Sequence, residues 1–399
     1  MSFKSDYIIE IEESIRKNNK IFTSMGVTNG LAGVSLFYYY LNSKEKASDM
    51  KLDFCLHYLE KSIDGLNESY MGSTIVNDIL EIGCLLDFYR DKGILSYDDT
   101  ISYFDNYEPI IESLLIENLD KNILNPVFGV LNFANYFISR KPSIENKYNY
   151  LFVKVLDKIE ELSCSHKDSE GIYWVSNIKR EGEYLIELGI RHGVMGIIDH
   201  LVKLYEIGFQ RERVFGLIEK ALRYVIYYKL QFGKSLFPFS ADKTPEKRDF
   251  SFGTIYGDLG IAYGLYRAGM ICKLPNYTKI GMEVLLNSCE FRDDDNDKIT
   301  DANLLYGNLG VASLLNLFKK NIDNSILNDS VEYWYNKTEQ YKTNNNQWAG
   351  FDSTFNKFDI NTQLSFGHGI IGIGIALLNF EKELNFDFLS FINYSLPVS

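Results

Sequence analysis

The chain is predicted to be all-α, with a ring of buried inner helices wrapped by a ring of amphipathic outer ones. Three observations carry that prediction: a glycine-headed apolar segment recurs, charged amphipathic stretches separate its copies, and 399 residues hold only seven prolines and few alternating stretches. Recurrence at a fixed kind of unit is the mark of a repeat architecture.

Five copies are clear. They open at Gly30 and Gly33 ("VTNGLAGVSLFYYYL"), Gly193 and Gly196 ("IRHGVMGIIDHLVKLY"), Gly257 and Gly260 ("IYGDLGIAYGLYRAG"), Gly307 and Gly310 ("LYGNLGVASLLNLF"), and Gly369 and Gly372 ("FGHGIIGIGIALLNF"). Two degenerate copies fit the gap. One has Asp78 and Glu81 at the glycine positions, the other Gly129 and Asn132. The helices that follow are apolar on nearly every face, which predicts burial. Glycine at each start is expected to let the preceding loop take a positive φ and a neighbouring backbone approach closely.

Between the copies lie stretches such as "NKYNYLFVKVLDKIEELS" and "RERVFGLIEKALRYVIYYKL". Apolar residues at i, i+3 and i+4 with charge opposite predict outer helices. "EGIYWVSN" and "QFGKSLFPF" break the pattern and read as short β-ribbons or loops. No linker or shift in composition interrupts residues 1–399, so one domain is expected.

The formal net charge of −13 argues against nucleic-acid binding, which needs a positive face. Five cysteines without CxxC pairing suit a reducing compartment. The charged N-terminus has no signal-peptide core and no apolar run is long enough to span a membrane. A cytoplasmic location is expected. Residues 367–372 match GxGxxG but follow no convincing strand, and "RDDDND" at 292–297 lacks the rest of a calcium loop, so neither is read as a site.

Seven parallel inner helices gather their N-termini at one end, where free N–H groups and aligned dipoles favour an anion. His192 and His368 each precede an inner-helix glycine, and Tyr256 and Tyr306 hold the matching places. By repeat symmetry these four are expected to face one cavity. Asp258 and Asn308 follow the glycines and are expected to cap helices or touch a ligand. His57, His166 and His200 read as structural or surface residues.

With "RHGVMG" in the fourth copy and "YGDLGIA" in the fifth, the chain from about Gly26 to Phe380 resembles the LanC-like family, the lanthionine synthetase C cyclases. The resemblance implies an α/α toroid, a double seven-helix barrel. It implies thioether ring formation, in which a peptide cysteine adds across dehydroalanine or dehydrobutyrine to give lanthionine or methyllanthionine. It also implies a leader-bearing dehydrated precursor peptide as partner, with a dehydratase and an exporter beside it.

The family holds zinc with two cysteines and a histidine. Those positions fall here on Ile255, Leu305 and Tyr306, so no cofactor is predicted. The family's catalytic aspartate falls near Asn125, and its arginine near Ser251, with Arg248 close enough to substitute. The expected chemistry is a substrate thiolate stabilised by helix N-termini and a protonated histidine, with Tyr256 or His192 as proton donor. The alternatives are a non-catalytic scaffold for precursor or dehydratase, and an α/α-barrel carbohydrate-active enzyme. The last needs paired carboxylates at the cavity, where Asp258 is the single strong candidate.

Overall fold

The computed structural model describes residues 5–42, 49–72, 74–144, 146–243, 251–290, 299–343 and 346–396. The chain divides into two compact units, one of Met1–Tyr103 with Ile299–Ser399, the other of Phe104–Lys298.

In the first unit α1 (Ser5–Asn18) precedes α2 (Ala32–Asn42), α3 (Asp49–Asp64) and α4 (Ile75–Asp91). Helix α5 (Asp98–Asp120) starts here and runs on into the second unit. The second unit continues with α6 (Val130–Ile144) and α7 (Asn149–Glu161), then two hairpins, β1 (Cys164–His166) with β2 (Gly171–Tyr173) and β3 (Lys179–Arg180) with β4 (Glu183–Tyr184). It ends with α8 (Val194–Glu206), α9 (Arg211–Tyr227), α10 (Asp258–Ile271) and α11 (Pro275–Glu290). The chain then returns to the first unit through α12 (Asn308–Lys319), α13 (Ser325–Tyr341), α14 (Ile360–Leu364) and α15 (Ile370–Glu381).

The inner and outer roles follow the polarity pattern. Every residue of α15 from Ile370 to Phe380 is buried, as is every residue of α10 from Asp258 to Gly269. Outer helix α9 buries only Val214, Leu217, Ile218, Ala221, Leu222, Tyr224 and Val225, one face at helical spacing. Each buried aliphatic side chain contributes on the order of 1.5–3 kcal/mol, so the inner layer carries most of the apolar stabilisation. Within the first unit α2 packs on α3 and α15, and α12 on α13; within the second α8 packs on α6, α9 and α10. Arg267 of α10 ties it to α8, meeting Glu206 at 2.6 Å and Asp199 at 3.4 Å.

Of the two irregular stretches, "EGIYWVSN" supplies β2, which pairs antiparallel with β1. "QFGKSLFPF" is a loop whose end runs beside residues 186–188, with Leu188 N donating to Phe239 O at 3.0 Å and Ala241 N to Ile186 O at 2.9 Å.

The glycines are needed for close approach and not for a positive φ, which corrects the expectation from sequence. Gly193, Gly257, Gly307 and Gly369 all have negative, extended φ. In four of the five clear copies the opening turn folds back so that the residue after the first glycine donates to a carbonyl seven positions earlier: Leu31 to Ser24, Val194 to Glu187, Asp258 to Ser251 and Asn308 to Asp301. Both glycines then lie against the turn's own backbone. A Cβ at Gly310 would overlap the Leu304 carbonyl oxygen, and one at Gly372 that of Phe366. The third, degenerate copy makes the same turn, with Val130 N on Ile123 O at 2.7 Å. The second does not. Helix α4 has already begun at Ile75, and its Asp78 and Glu81 reach back to hold the first copy's turn.

Candidate functional site

The opening turns hold the predicted residues in two groups. In the second unit His192 and Tyr256 come together, ring centroids 6.0 Å apart. In the first unit Tyr306 and His368 stack at 5.5 Å.

Around His192 and Tyr256 the structure adds Arg180, which sequence reasoning missed. It stands on the hairpin preceding α8, its guanidinium 5.4 Å from the Tyr256 ring and 5.7 Å from Phe239. Buried Glu187 holds it through Oε1 at 3.1 Å, and it hydrogen-bonds Tyr256 as well. Arg180 and Tyr256 line a cleft of about 390 Å³ with Lys179, Lys243, Glu181 and Phe239. The arginine expected at this place, Arg248, lies outside the described residues. A charged residue in a two-residue strand has no periodic neighbours to flag it; only its nearness to "RHG" hinted at the mouth.

His192 Nδ1 lies 3.2 Å from Asn125 Nδ2. Its imidazole is pushed down to about 3 by burial and then by the nearby guanidinium groups of Arg191 and Arg180. It is therefore neutral at physiological pH, which corrects the expectation of a protonated histidine. His192 and Asn125 also line a smaller cavity of about 150 Å³ with Trp174, Ser176, Asn177 and Ile197.

In the first unit His368 is only 7% exposed. Its ring packs on Tyr306 and, at 4.3 Å, on Phe355, a residue that sequence reasoning also missed; Tyr306 and Phe355 lie 5.5 Å from each other, so the three rings form one mutual cluster. Beside them three backbones are tied in series: Leu305 N donates to Gly367 O at 3.1 Å, Gly367 N to Thr28 O at 3.0 Å, and Thr28 N to Glu81 Oε2 at 2.6 Å.

Asp258 and Asn308 are spent on the fold, which corrects their reading as ligand contacts. Asp258 is fully buried and accepts from Leu236 N at 2.6 Å and Phe237 N at 3.0 Å. Burial still pushes its carboxyl up to about 6. Asn308, equally buried, donates to Trp334 O at 2.6 Å and Thr338 Oγ1 at 2.9 Å, fastening α12 to α13. His200 is a buried structural histidine bonded to Asn135 at 2.7 Å, as expected.

The donor chemistry does not fit a zinc ion at the family's positions. Ile255 and Leu305 are buried aliphatic side chains at 4% and 1% exposure, and Tyr306 is engaged in the aromatic stack. Zinc takes thiolate, imidazole or carboxylate donors, and none stands there.

Comparison with known proteins now places the chain. Residues 21–287 and 240–393 match the model for Lanthionine synthetase C-like protein, and the chain belongs to that family. Among solved structures it is similar to nisin cyclase, with a TM-score of 0.73 and 15% identity over 97% of this chain and 96% of that one. At that identity the likeness establishes the fold, and the all-α, LanC-like architecture expected from the repeats is borne out. No match is found among curated proteins. Among the described residues, no helix is long and apolar enough to cross a membrane.

Proposed function

We propose that the protein closes thioether rings in a dehydrated, leader-bearing precursor peptide without the family's zinc. The reading rests on family membership. Its carrying observation is that Arg180, Tyr256 and His192 cluster at the opening turns while the metal positions hold Ile255, Leu305 and Tyr306. A dehydratase supplies the alkene beforehand, in the cytoplasm, and an exporter follows.

The chemistry needs no metal step. A cysteine thiol with a pKa near ~8.5 is a few per cent thiolate at neutral pH. The thiolate sulfur adds to the β-carbon of the dehydroamino acid, and the π pair moves to the α-carbon and carbonyl oxygen. The thiol proton leaves to solvent. The Arg180 cation stabilises the enolate charge, and Tyr256 returns a proton to the α-carbon. On this reading the site activates the alkene and orients the peptide, while solvent equilibrium provides the thiolate.

A second reading is favoured by the stack of Phe355, His368 and Tyr306, which fills its opening turn with rings. It is a scaffold that binds the precursor or its dehydratase without turnover. One assay separates the two. Chelator-treated protein is incubated with dehydrated precursor while free thiols are counted and ring positions mapped by mass spectrometry. Regiospecific thiol loss above the protein-free rate supports the cyclase; tight binding at the protein-free rate overturns it in favour of the scaffold. Stimulation by stoichiometric zinc would overturn the metal-free proposal.

A further inference from the structure

We infer that Glu187 is a positioning residue: it clamps the Arg180 guanidinium beside the Tyr256 ring, so that the cation of the site has one fixed place. Arg180 needs such a clamp. It stands at the end of a two-residue strand, and its side chain is 34% exposed. A long side chain in that setting keeps its rotamer freedom unless a partner removes it. Glu187 meets the guanidinium along one edge. Arg180 Nε donates to Oε1 at 3.1 Å, and Nη2 makes a longer contact of 3.5 Å to Oε2. Two contacts between two planar forks fix orientation as well as distance. The clamped group lies 5.4 Å from the Tyr256 ring centroid and 5.7 Å from that of Phe239.

Glu187 can hold Arg180 because its own mounting is rigid. It is 1% exposed, and its carbonyl oxygen accepts from Val194 N at 2.9 Å, closing the opening turn of α8. The residues on either side bond to the loop at 239–241, Leu188 N to Phe239 O and Ala241 N to Ile186 O. The same turn presses on Tyr256. A Cβ on Gly189 would come within 3.1 Å of the Tyr256 Cα and of the Ile255 carbonyl oxygen, so glycine lets the two opening turns meet there. Glu187 thus joins the hairpin that carries Arg180 to the turns that carry His192 and Tyr256. A buried carboxylate is tolerated when it is paired, so the pair is held together from both sides. That Arg180 then acts on an enolate rests on the cyclase reading above; the clamp itself does not. Glu187 acts through Arg180.

Guanidinium nitrogen NMR on the full chain tests the clamp without substrate, with an Arg180→Lys variant to assign the resonances. Rotation about the Cζ–Nε bond of Arg180 breaks the Nη2 contact, so wild type is expected to show two separate Nη signals. In Glu187→Gln the charge-assisted bonds become neutral ones, and the rotation should speed up at least ~10-fold and merge the signals. Wild-type signals already merged by fast rotation overturn the inference even if Glu187→Gln does not fold. A rotation rate that Glu187→Gln leaves unchanged overturns it too. In the thiol assay Glu187→Gln is expected to lower kcat about tenfold with KM little changed, the signature of a misplaced group. Combined with Arg180→Gln, its loss should overlap that of the arginine. Losses that multiply would place Glu187 outside the action of Arg180 and overturn the positioning role. If the clamp is seen but wild type forms no rings, the cyclase reading fails and the clamp stands.

Discussion

Replacing Glu81 by Gln should make the protein more stable, and increasingly so as the pH rises. Glu81 is the seventh residue of α4, nearly two turns in, at the place where the clear copies have their second glycine. The residue keeps partial exposure, but its carboxylate is turned inward among the backbone amides of the turn at 25–28. Burial, then the charge of Asp78, pushes its pKa up from the ordinary 4.5 to about 7, against the pull of bonds from Thr28 and Val27. The native state therefore prefers the protonated acid. Stability is fully present below about 4.5 and is lost as the pH climbs through about 7, because the unfolded chain binds fewer protons in that interval. At 1.36 kcal/mol per pH unit the whole interval is worth about 3 kcal/mol as a ceiling. Some 2 kcal/mol of this falls between about pH 5.5 and 8, clear of the isoelectric point near 5.0, where precipitation interferes. Glutamine imitates the protonated acid in shape and charge, so the variant should lack this dependence. Urea denaturation of both proteins across that range should show the difference, variant minus wild type, growing by about 2 kcal/mol. In thermal melts this is roughly 2–3 °C, from an unfolding entropy of ~2.1 cal/mol/K per residue. Because Asp78 shares the site, the curve reports the pair. A difference flat with pH, or one that shrinks as pH rises, would refute the reasoning, the latter by showing that the amides stabilise the charged form.

Gly310→Ala should cost about 3 kcal/mol or more, because the new methyl meets the Leu304 carbonyl oxygen and not a movable side chain; chemical denaturation measures it. Asp258→Ala should cost about 2–4 kcal/mol, since Leu236 N and Phe237 N lose their buried acceptor; faster amide exchange at those two residues would confirm the cause. Ring formation should rise about tenfold per pH unit from ~6 to ~8, tracking the substrate thiolate; a plateau near neutral pH would point to thiol activation by the protein. His192→Ala should slow ring formation by about 10²-fold, while His192→Gln, which keeps an N–H donor as the neutral imidazole does, should remain within about tenfold of wild type; equal rates for the two variants would show that His192 donates no hydrogen bond in the reaction.

Much of this protein was legible before folding. The glycine-headed apolar segments and the one-sided stretches between them define buried and surface helices, because burial of a helix is written in its periodicity. The residues at the metal positions were equally plain, since the aliphatic Ile255 and Leu305 offer no lone pair whatever their surroundings and the phenol of Tyr306 is a rare zinc ligand. The opposite holds for residues whose meaning lies in a partner distant in sequence. Asp258 and Asn308 resemble ligands in the string, and only the folded chain shows them facing Leu236 and Trp334. Arg180 gains its place by crossing to Glu187 and Tyr256, and His192 loses its charge to burial and two guanidinium groups. The glycines had a reason visible in outline but not in kind, for a local string does not reveal that the turn doubles back onto its own carbonyls. Periodicity is a local property and survives in the sequence; protonation and occupancy of a hydrogen bond depend on what the fold brings near, and the tertiary structure alone decides them.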